Sequence, residues 1–292
     1  MKIPVAVLIV NFNAGDALTR CVESVLSQGR NIRVIVIDNA STDDSARRVH
    51  ELFDRLDHVT IVFNAQNRGF SAAVNQAVAI ARESREPLLL ILNPDCELFP
   101  GALRSLVEAL DGNPDAAMAG PAVVDRHGAP LRATFRRFPD PWRGFLTFSG
   151  LWRLGPILPV FQGVEPIREL PVEVTEAEAL SGACMLVKAD AFMEAGGMDE
   201  GYGLHCEDLD LMYRFSEQER SRLFVPESRV YHAQGISSRD RPAWVHWQKH
   251  RGMQRFYRKF QAPRHFLLFR WLVIAGIWLR FLLTLPLVLL RR

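Results

Sequence analysis

Two groups of acidic residues have positions suited to chemistry, and the first is centred on Asp95. It follows an uninterrupted apolar run, residues 88–92, at the point where a buried strand is expected to end. A carboxylate held at the rim of a sheet can bind a divalent cation that bridges a diphosphate, and that cation would neutralise a departing nucleotide. The alternative is a solvated turn in which Asn93 or Asp95 hydrogen-bonds the nearby backbone.

The second group consists of Glu207, Asp208 and Asp210 at the start of a predicted helix. Acidic residues in a first helical turn are favoured by the helix dipole, so capping is the simple alternative. Capping does not require three of them, and they follow the glycine-rich sequence GGMDEGYG. We therefore predict that a loop closes this group over a substrate, with Asp208 as a general base.

Polar residues also follow the other predicted strands of the amino-terminal half. Asp38 ends the second strand, where its carboxylate could accept hydrogen bonds from the N–H or hydroxyl groups of a nucleoside. Arg68 and Gly69 open a helix, where a cation and free backbone N–H groups could meet a phosphate. Each stretch alone also fits a capped turn. Four polar strand ends on one sheet edge favour a binding site, because parallel strands carry ligands at their carboxyl ends.

The elements that must position these residues alternate as β-α-β units. The predicted strands cover residues 5–10, 32–37, 59–63 and 88–92. The predicted helices cover residues 17–27, 71–81 and 101–110, with another that begins at Ser45. This α/β order predicts a mostly parallel central sheet with helices on both faces.

The second half of the chain begins with an irregular segment, residues 125–175, in which prolines alternate with Trp, Phe and Arg. Such a long irregular segment is usually functional or mobile. Regular structure is predicted again as a strand over 179–188, a short helix over 189–197 and a helix over 206–215.

The composition divides the chain into an acidic part and a basic part. Residues 241–292 contain eleven Lys or Arg and no Asp or Glu, whereas residues 1–240 carry 24 basic and 33 acidic residues. Two such parts face different surroundings. The four cysteines form no C-x-x-C pair, and no signal peptide precedes the first apolar run, so we expect reduced thiols in the cytosol.

The basic part contains an apolar run, residues 271–290, interrupted by Arg280, Thr284 and Pro286. A span of about 20 apolar residues can cross a bilayer, but an arginine at its midpoint costs about 2.5–3.5 kcal/mol. We therefore expect helices that lie in or dip into the cytoplasmic leaflet, with basic residues against anionic lipid. These residues are Arg255, Arg258, Lys259 and Arg264. A buried helix pair or an oligomer contact is the alternative.

Several short stretches form an ordered set that is more specific than any one of them. They are VLIVNFN, DNASTD, NRGFSAAVN, LNPDCELFP, SGACMLVK, GGMDEGY and EDLDLMYR. In this order, over about residues 5–235, they resemble a family 2 glycosyltransferase of the rhamnosyltransferase-like branch. The resemblance implies a GT-A fold, a nucleotide-sugar donor, a divalent metal ion, Mg²⁺ or Mn²⁺, and inversion at the anomeric carbon.

The resemblance also assigns roles to single residues. Asn11 and Asp38 would line the nucleoside pocket, and Arg68 with Gly69 would lie beside the base or the diphosphate. In the Glu207–Asp208 pair, Asp208 would deprotonate the acceptor hydroxyl.

The metal site departs from the usual family pattern. Asp95 would be the metal-binding acid of the D-x-D element, whose first acid is replaced by Asn93, a change shared by the rhamnosyltransferase-like branch. A single carboxylate would hold the metal less tightly, so that the ion leans more on the diphosphate oxygens. His232, in the sequence VYHAQG, would complete the site, and a loop histidine with a structural role is the alternative.

The expected organisation is a nucleotide-sugar-binding and catalytic domain, residues 1–240, followed by membrane-associated helices, residues 241–292. The branch favours dTDP-L-rhamnose as the donor. The acceptor would be a polyprenyl-linked sugar or a growing polysaccharide at the inner face of the cytoplasmic membrane, to which the enzyme is peripherally or monotopically attached. The phosphates of such an acceptor suit Lys249, Arg251 and Arg255.

Two other functions remain alternatives. A sugar nucleotidyltransferase usually has a glycine-rich basic loop after its first strand, and VNFNAGD contains neither Lys nor Arg. A nucleotide-sugar-binding protein with weak catalysis would be expected to lack the Glu207–Asp208 pair. Nucleic acid is not an expected partner, because no RNA-binding motif accompanies the basic residues.

Overall fold

The centre of the fold is a nine-stranded sheet, seen in a computed structural model that describes residues 3–164, 170–235 and 241–290. The strands are β1 Val5–Asn11, β2 Ile32–Asp38, β3 Val59–Phe63, β4 Leu88–Leu92, β5 Cys96–Leu98, β6 Ala116–Val124, β7 Phe135–Arg136, β8 Thr175–Glu176, β9 Ala179–Leu180, β10 Cys184–Lys188 and β11 Ser221–His232. The order in the sheet is β3-β2-β1-β4-β10-β6-β11-β5, with β8 paired to β11, while β7 and β9 form a separate pair.

Helices cover both faces of this sheet. The helices of the described residues are α1 Asp16–Leu26, α2 Ser45–Phe53, α3 Phe70–Ser84, α4 Ala102–Asp111, α5 Pro141–Ser149, α6 Ala189–Glu194, α7 Glu207–Glu217, α8 Pro242–Phe256 and α9 Leu267–Leu290, of which α9 lies away from the sheet. Alternate residues of a strand point to opposite faces. Accordingly Ile9 of β1 packs in the cluster that contains α1 and α4, and Leu8 packs in the cluster that contains α3, α6 and α7. The predicted α/β architecture is confirmed.

The register of the parallel strands brings their carboxyl ends together. β1 pairs in parallel with β2 and β4, and Asn11 lies opposite Asp38 at the last step of the β1–β2 ladder. β10 runs antiparallel to β4, so that Cys184, where β10 begins, lies opposite Leu92, where β4 ends. The turn before β10 is therefore at the same sheet edge as the strand ends.

Residues 179–188 differ from the prediction of one continuous strand. They form β9 and β10, which lie in different sheets and are separated by Ser181, Gly182 and Ala183. The apolar pattern alone could not reveal this break, because both short strands are buried. The proline-rich segment likewise contains short elements that the pattern did not predict, among them β7 and α5.

The carboxyl-terminal helices differ from each other in their contacts. Phe256 of α8 and Phe260 of the π-helical turn Tyr257–Gln261 are buried in the main core, whereas no residue of α9 is buried. The alternative of a buried helix within this chain is therefore wrong for α9. Among the described residues, α9 is the one helix long and apolar enough to cross a membrane. The predicted division at residue 240 falls next to 236–240, outside the described residues, and it stays a prediction.

Two polar residues of α9 contact α8. Arg280 Nη1 lies 3.0 Å from His250 Nε2, and Thr284 Oγ1 lies 2.9 Å from His246 Nε2. The arginine that argued against a membrane span thus has a partner on the neighbouring helix. Other, apolar residues of α9, among them Leu272, Leu283 and Leu287, remain exposed.

Candidate active site

Asn11 and Asp38 form one end of the candidate site. Asn11 Nδ2 donates to Asp38 Oδ1 at 2.8 Å, and Ser41 Oγ donates to the same oxygen at 2.6 Å. Asn11 and Asp38 are both buried, and Asn11 Oδ1 has no hydrogen-bond partner among the described residues. An orphaned acceptor beside a buried carboxylate leaves hydrogen-bonding capacity for the donor groups of a nucleoside.

Arg68 and Gly69 are placed differently from the expectation. The backbone N–H of Arg68 donates to Asn39 Oδ1 at 3.0 Å, and that of Gly69 donates to Asn67 Oδ1 at 2.9 Å. The N–H groups that were expected to be free for a phosphate are therefore occupied by side-chain amides. The exposed guanidinium of Arg68, whose Nη1 lies 3.4 Å from Gln76 Oε1, remains available to a phosphate.

Asp95 and His232 meet because β5 pairs antiparallel with the end of β11, with His232 opposite Cys96. His232 Nε2 lies 3.1 Å from Asp95 Oδ1, and potential ligand atoms of Asp95, Cys96 and His232 all lie within 4.8 Å of one another. The nearby carboxylate of Glu97, in β5, instead pairs with Arg20 at 2.9 Å on the surface. Asp95 is thus the acid that this strand end contributes to the site.

The donor set at this position suits a hard cation only in part. Burial and the charge of Asp95 raise the pKa of the Cys96 thiol well above its usual value. Because a protonated thiol is a poor ligand and Mg²⁺ or Mn²⁺ prefers oxygen, Cys96 is not expected to bind the ion. Asp95 and His232 fit as two protein ligands. They leave the remaining positions to diphosphate oxygens and water.

Asp208, in the first turn of α7, is held by an arginine and a glycine. Arg136 of β7 donates from Nη2 to Asp208 Oδ2 at 2.8 Å, and the same nitrogen donates to the carbonyl oxygen of Leu180. Gly182 lies so close that a Cβ at this position would be 2.7 Å from Asp208 Oδ2. Both contacts restrict the carboxylate to one orientation.

Glu207, the neighbour of Asp208, is buried and has a raised pKa. Burial, together with the charge of Asp208, raises the pKa of Glu207 to about 8. Its Oε2 is buried without a hydrogen-bond partner among the described residues. The raised pKa favours the protonated form of Glu207, which can donate a hydrogen bond.

The two halves of the site meet at the turn before β10. The backbone N–H of Asn93 donates to the carbonyl oxygen of Ala183 at 2.9 Å, and the preceding residue, Gly182, touches Asp208. The strand end that carries Asn93 and Asp95 is thus connected, through Ala183 and Gly182, to the carboxylate of Asp208. The sheet brings together residues that are more than a hundred positions apart.

Asp210 does not join this group, in contrast to the expectation for the acidic cluster. Its carboxylate is fully buried and accepts hydrogen bonds from Arg214 Nε at 2.7 Å, Lys259 Nζ at 2.7 Å and Tyr202 Oη at 3.0 Å. These contacts tie α7 to the carboxyl-terminal part of the chain. Asp210 is a structural residue.

Arg136 is the site residue that sequence reasoning missed. It lies in the proline-rich segment, where neither apolar periodicity nor a motif distinguishes one arginine from another. A signal would have been its place in the short strand β7, whose partner β9 ends two residues before Gly182.

Comparison with known proteins gives consistent matches. The pattern of Glycosyl transferase family 2 matches residues 6–162. An N-acetylglucosaminyl-diphospho-decaprenol L-rhamnosyltransferase of Mycobacterium tuberculosis is 30% identical over 248 residues, which cover 81% of this chain and 78% of that protein. Rhamnosyltransferase WbbL of Escherichia coli is 24% identical and covers 78% of this chain and 83% of its own length.

A solved structure with the same fold spans nearly all of the chain. It is the mannosyltransferase PcManGT from Pyrobaculum calidifontis in complex with GDP-Man and Mn²⁺, with a TM-score of 0.60 at 18% identity. The match covers 96% of this chain and 70% of that one. At this level of identity the likeness concerns the fold alone.

Proposed function

Because the chain belongs to glycosyl transferase family 2 and has the GT-A fold, we propose that it transfers a sugar from a nucleotide-diphosphate donor to a hydroxyl group of a lipid-linked acceptor. Family membership makes it a glycosyltransferase. The identity of the donor, the inversion at the anomeric carbon and the nature of the acceptor are parts of the proposal.

The proposed donor is dTDP-L-rhamnose. The ordered sequence stretches resemble the rhamnosyltransferase-like branch, and both relatives described above carry rhamnosyltransferase in their names. The proposed acceptor is a sugar on a polyprenyl diphosphate that is later built into a surface polysaccharide. The mycobacterial relative is named for an acceptor of this chemistry.

In the proposed mechanism, Asn11 and Asp38 bind the nucleoside and the guanidinium of Arg68 contacts the diphosphate. Asp208 accepts the proton of the acceptor hydroxyl as that oxygen attacks the anomeric carbon from the face opposite the leaving diphosphate, and this gives inversion. Protonated Glu207 donates a hydrogen bond to a sugar or acceptor oxygen.

Asp95 and His232 would hold a divalent cation beside the diphosphate. Such an ion, Mg²⁺ or Mn²⁺, supplies charge that stabilises the leaving nucleotide diphosphate. The Mn²⁺ in the archaeal mannosyltransferase supports a divalent ion in this fold, and the 3.1 Å contact between Asp95 and His232 supports these two residues as its ligands.

The observation that carries the proposal is the meeting of the Asp95 strand end and Asp208 at the turn before β10. A metal-binding acid on one side and a base on the other are the two groups that an inverting transfer requires. They converge here although Asp95 follows β4 and Asp208 lies on α7.

The test is release of nucleotide diphosphate from a panel of nucleotide sugars, with a short prenyl-diphosphate-linked sugar as acceptor and with or without Mg²⁺ or Mn²⁺. We expect turnover with dTDP-L-rhamnose and a product of inverted anomeric configuration. Asp208→Asn should lower turnover by about 10²–10⁴-fold, the usual contribution of a general base.

The matched control is Asp111→Asn, an exposed carboxylate at the end of α4. It should leave turnover unchanged. If Asp208→Asn keeps full turnover at unchanged thermal stability, Asp208 is not the base. If no nucleotide sugar is consumed although the donors bind, the chain is a nucleotide-sugar-binding protein instead.

We further propose that the enzyme acts at the inner face of the cytoplasmic membrane, with α9 inserted in the bilayer. The exposed apolar residues of α9 and the basic composition of residues 241–292 support this location. The Arg280–His250 contact lets α9 carry an arginine in a partly shielded position.

A further inference from the structure

The helix α5 exposes an aromatic face, whereas an amphipathic helix of a soluble protein normally buries its apolar face. Trp142, Phe145 and Phe148 recur at a spacing of three residues on one face and are 48%, 52% and 43% exposed. Leu146, which lies just outside the arc of the helix that these three residues span, is fully buried. A helix with its aromatic face outward exposes the surface that a core helix would bury.

The segment that follows α5 extends the same surface. The indole N–H of Trp142 donates to the carbonyl oxygen of Val160 at 3.0 Å, which ties α5 to the turn at 159–161. Between them, Leu154, Ile157 and Leu158 are 42%, 77% and 50% exposed. The apolar shelf is defined here as the following six residues: Trp142, Phe145, Phe148, Leu154, Ile157 and Leu158.

The apolar shelf lies next to the start of α9. Pro141, the first residue of α5, and Arg264 and His265, which precede α9, line one cavity of about 240 Å³. Gln261 Nε2 also donates to the carbonyl oxygen of Pro139. Two exposed apolar surfaces of the same chain therefore begin at a single junction.

Charge around the junction fits an anionic surface. Arg153, beside Leu154 of the apolar shelf, and Arg264, before α9, are both exposed. Asp140 is engaged in the chain, because its Oδ1 caps α5 at Arg143 N and its Oδ2 pairs with Arg143 Nε. Cations beside tryptophan and aliphatic side chains are typical of segments that lie at the head-group level of a bilayer.

We infer that the apolar shelf is a second membrane-contact surface, which lies in the head-group boundary of the leaflet that α9 enters. This inference rests on the proposed membrane location of the enzyme. It adds an element that lies far from α9 in sequence. A large exposed apolar patch with basic residues at its border marks an interaction surface rather than ordinary protein surface.

The start of α5, next to Trp142 of the apolar shelf, is also close to the candidate active site. Arg136, which holds Asp208, and Pro141, where α5 begins, are five residues apart, so their Cα atoms are at most about 18 Å apart. With the apolar shelf in the membrane, the base would be held near the head groups. A sugar carried on a prenyl diphosphate projects from the bilayer at that level.

The experiment uses the full chain with one new cysteine. All four native cysteines are buried, so Phe145→Cys supplies an accessible thiol for an environment-sensitive nitrobenzoxadiazole label. The control is Leu52→Cys on α2, which is 56% exposed and packs next to β3, the edge strand remote from β11. Both proteins are added to phosphatidylcholine–phosphatidylglycerol vesicles whose acyl chains are brominated, without donor or acceptor.

We expect both proteins to float with the vesicles, and the Phe145→Cys label to be blue-shifted and quenched at least twofold by bromine. The Leu52→Cys label should be unchanged. If both proteins float and neither label is quenched, the inference is wrong although the α9 anchor stands. If neither floats, the membrane location fails as well, while sugar transfer is judged separately by the nucleotide-release assay. A blue shift without vesicles that grows with protein concentration would indicate self-association and also overturn the inference.

Discussion

At the scale of single residues, Glu207 and Asp208 at the start of α7 have different surroundings. Asp208 receives a hydrogen bond from the Arg136 guanidinium at 2.8 Å, which orients its carboxylate. Glu207 has no such partner among the described residues and is buried next to that charge. Burial and the charge of Asp208 raise the pKa of Glu207, so the protonated form of this carboxyl is favoured relative to an ordinary glutamate.

We expect Glu207→Gln to change the pH dependence of stability. The pKa of Glu207 is about 8 in the fold against an ordinary value of 4.5, so the folded chain binds more protons than the unfolded chain between these values. Stability of the parent should then fall as pH rises through this range, by at most about 1.4 kcal/mol per pH unit from this group. The variant lacks the ionisation and should gain stability relative to the parent.

The measurement is the difference in thermal midpoint between Glu207→Gln and the parent at several pH values from 5 to 8. The difference should increase towards pH 8. Glu108→Gln, on the exposed side of α4, is the control and should give a constant difference. A constant difference for Glu207→Gln would mean that Glu207 is ionised in the fold.

At the scale of elements, α8 supports the backbone that precedes the first turn of α7. His205 and Cys206 have φ angles of 67° and 71°, a left-handed conformation that costs free energy for residues with a side chain. Gly252 of α8 lies against them, and a Cβ there would come within 2.6 Å of the His205 carbonyl oxygen. Burial also lowers the pKa of His205 to about 4, so that no charge is placed in this contact.

Alanine at two helical glycines should therefore have opposite effects. Gly144 of α5 has open space around its Cβ position, so Gly144→Ala should stabilise the protein by up to about 1 kcal/mol through helix propensity. Gly252→Ala should destabilise it by about 1–3 kcal/mol because the new methyl group overpacks the 205–206 backbone.

Denaturant unfolding in detergent measures both changes, and nucleotide release measures their effect on turnover. Gly252→Ala should also reduce turnover, since the displaced backbone leads directly into Asp208. Equal stabilisation by both alanines would show that α8 does not press on the 205–206 backbone.

At the scale of the whole molecule, ion pairs join the carboxyl-terminal helices to the sheet domain. Lys259 Nζ lies 2.8 Å from Asp199 Oδ2 and 2.7 Å from Asp210 Oδ2, and Arg255 Nη2 lies 2.8 Å from Asp199 Oδ1. Although burial opposes it, hydrogen bonding from Lys259 and Arg255 lowers the pKa of Asp199 to about 2. Two of the cations expected to face anionic lipid are thus engaged within the protein.

Lys259→Met should therefore lower stability and leave vesicle binding unchanged. It removes a charged partner from the fully buried Asp210, a loss that typically costs about 1–3 kcal/mol. Arg258→Met, at an exposed neighbouring position, should do the reverse: stability remains, and binding to anionic vesicles weakens. Thermal unfolding and flotation of the two variants distinguish these results. If Lys259→Met alone loses flotation, Lys259 contacts lipid and this prediction is wrong.

The sequence alone determined the central α/β sheet, because apolar runs and helical spacing are local properties of the chain. It predicted β3 and β4 with their observed bounds and located the polar strand ends. Asn11, Asp38, Asp95 and Asp208 could be named as candidates because strand ends and acidic helix starts are visible in the order of residues. The exposed α9 was equally readable from its apolar length.

Tertiary structure decided which of these residues meet and which are used elsewhere. Arg136 reaches Asp208 because β7 pairs with β9. The backbone N–H groups of Arg68 and Gly69 are occupied by the side-chain amides of Asn39 and Asn67. Asp210 and Asp208 are two positions apart on α7, but only Asp210 faces Lys259. Such assignments depend on contacts between residues far apart in the chain, and no local pattern of residue types encodes the direction in which a polar side chain finds its partner.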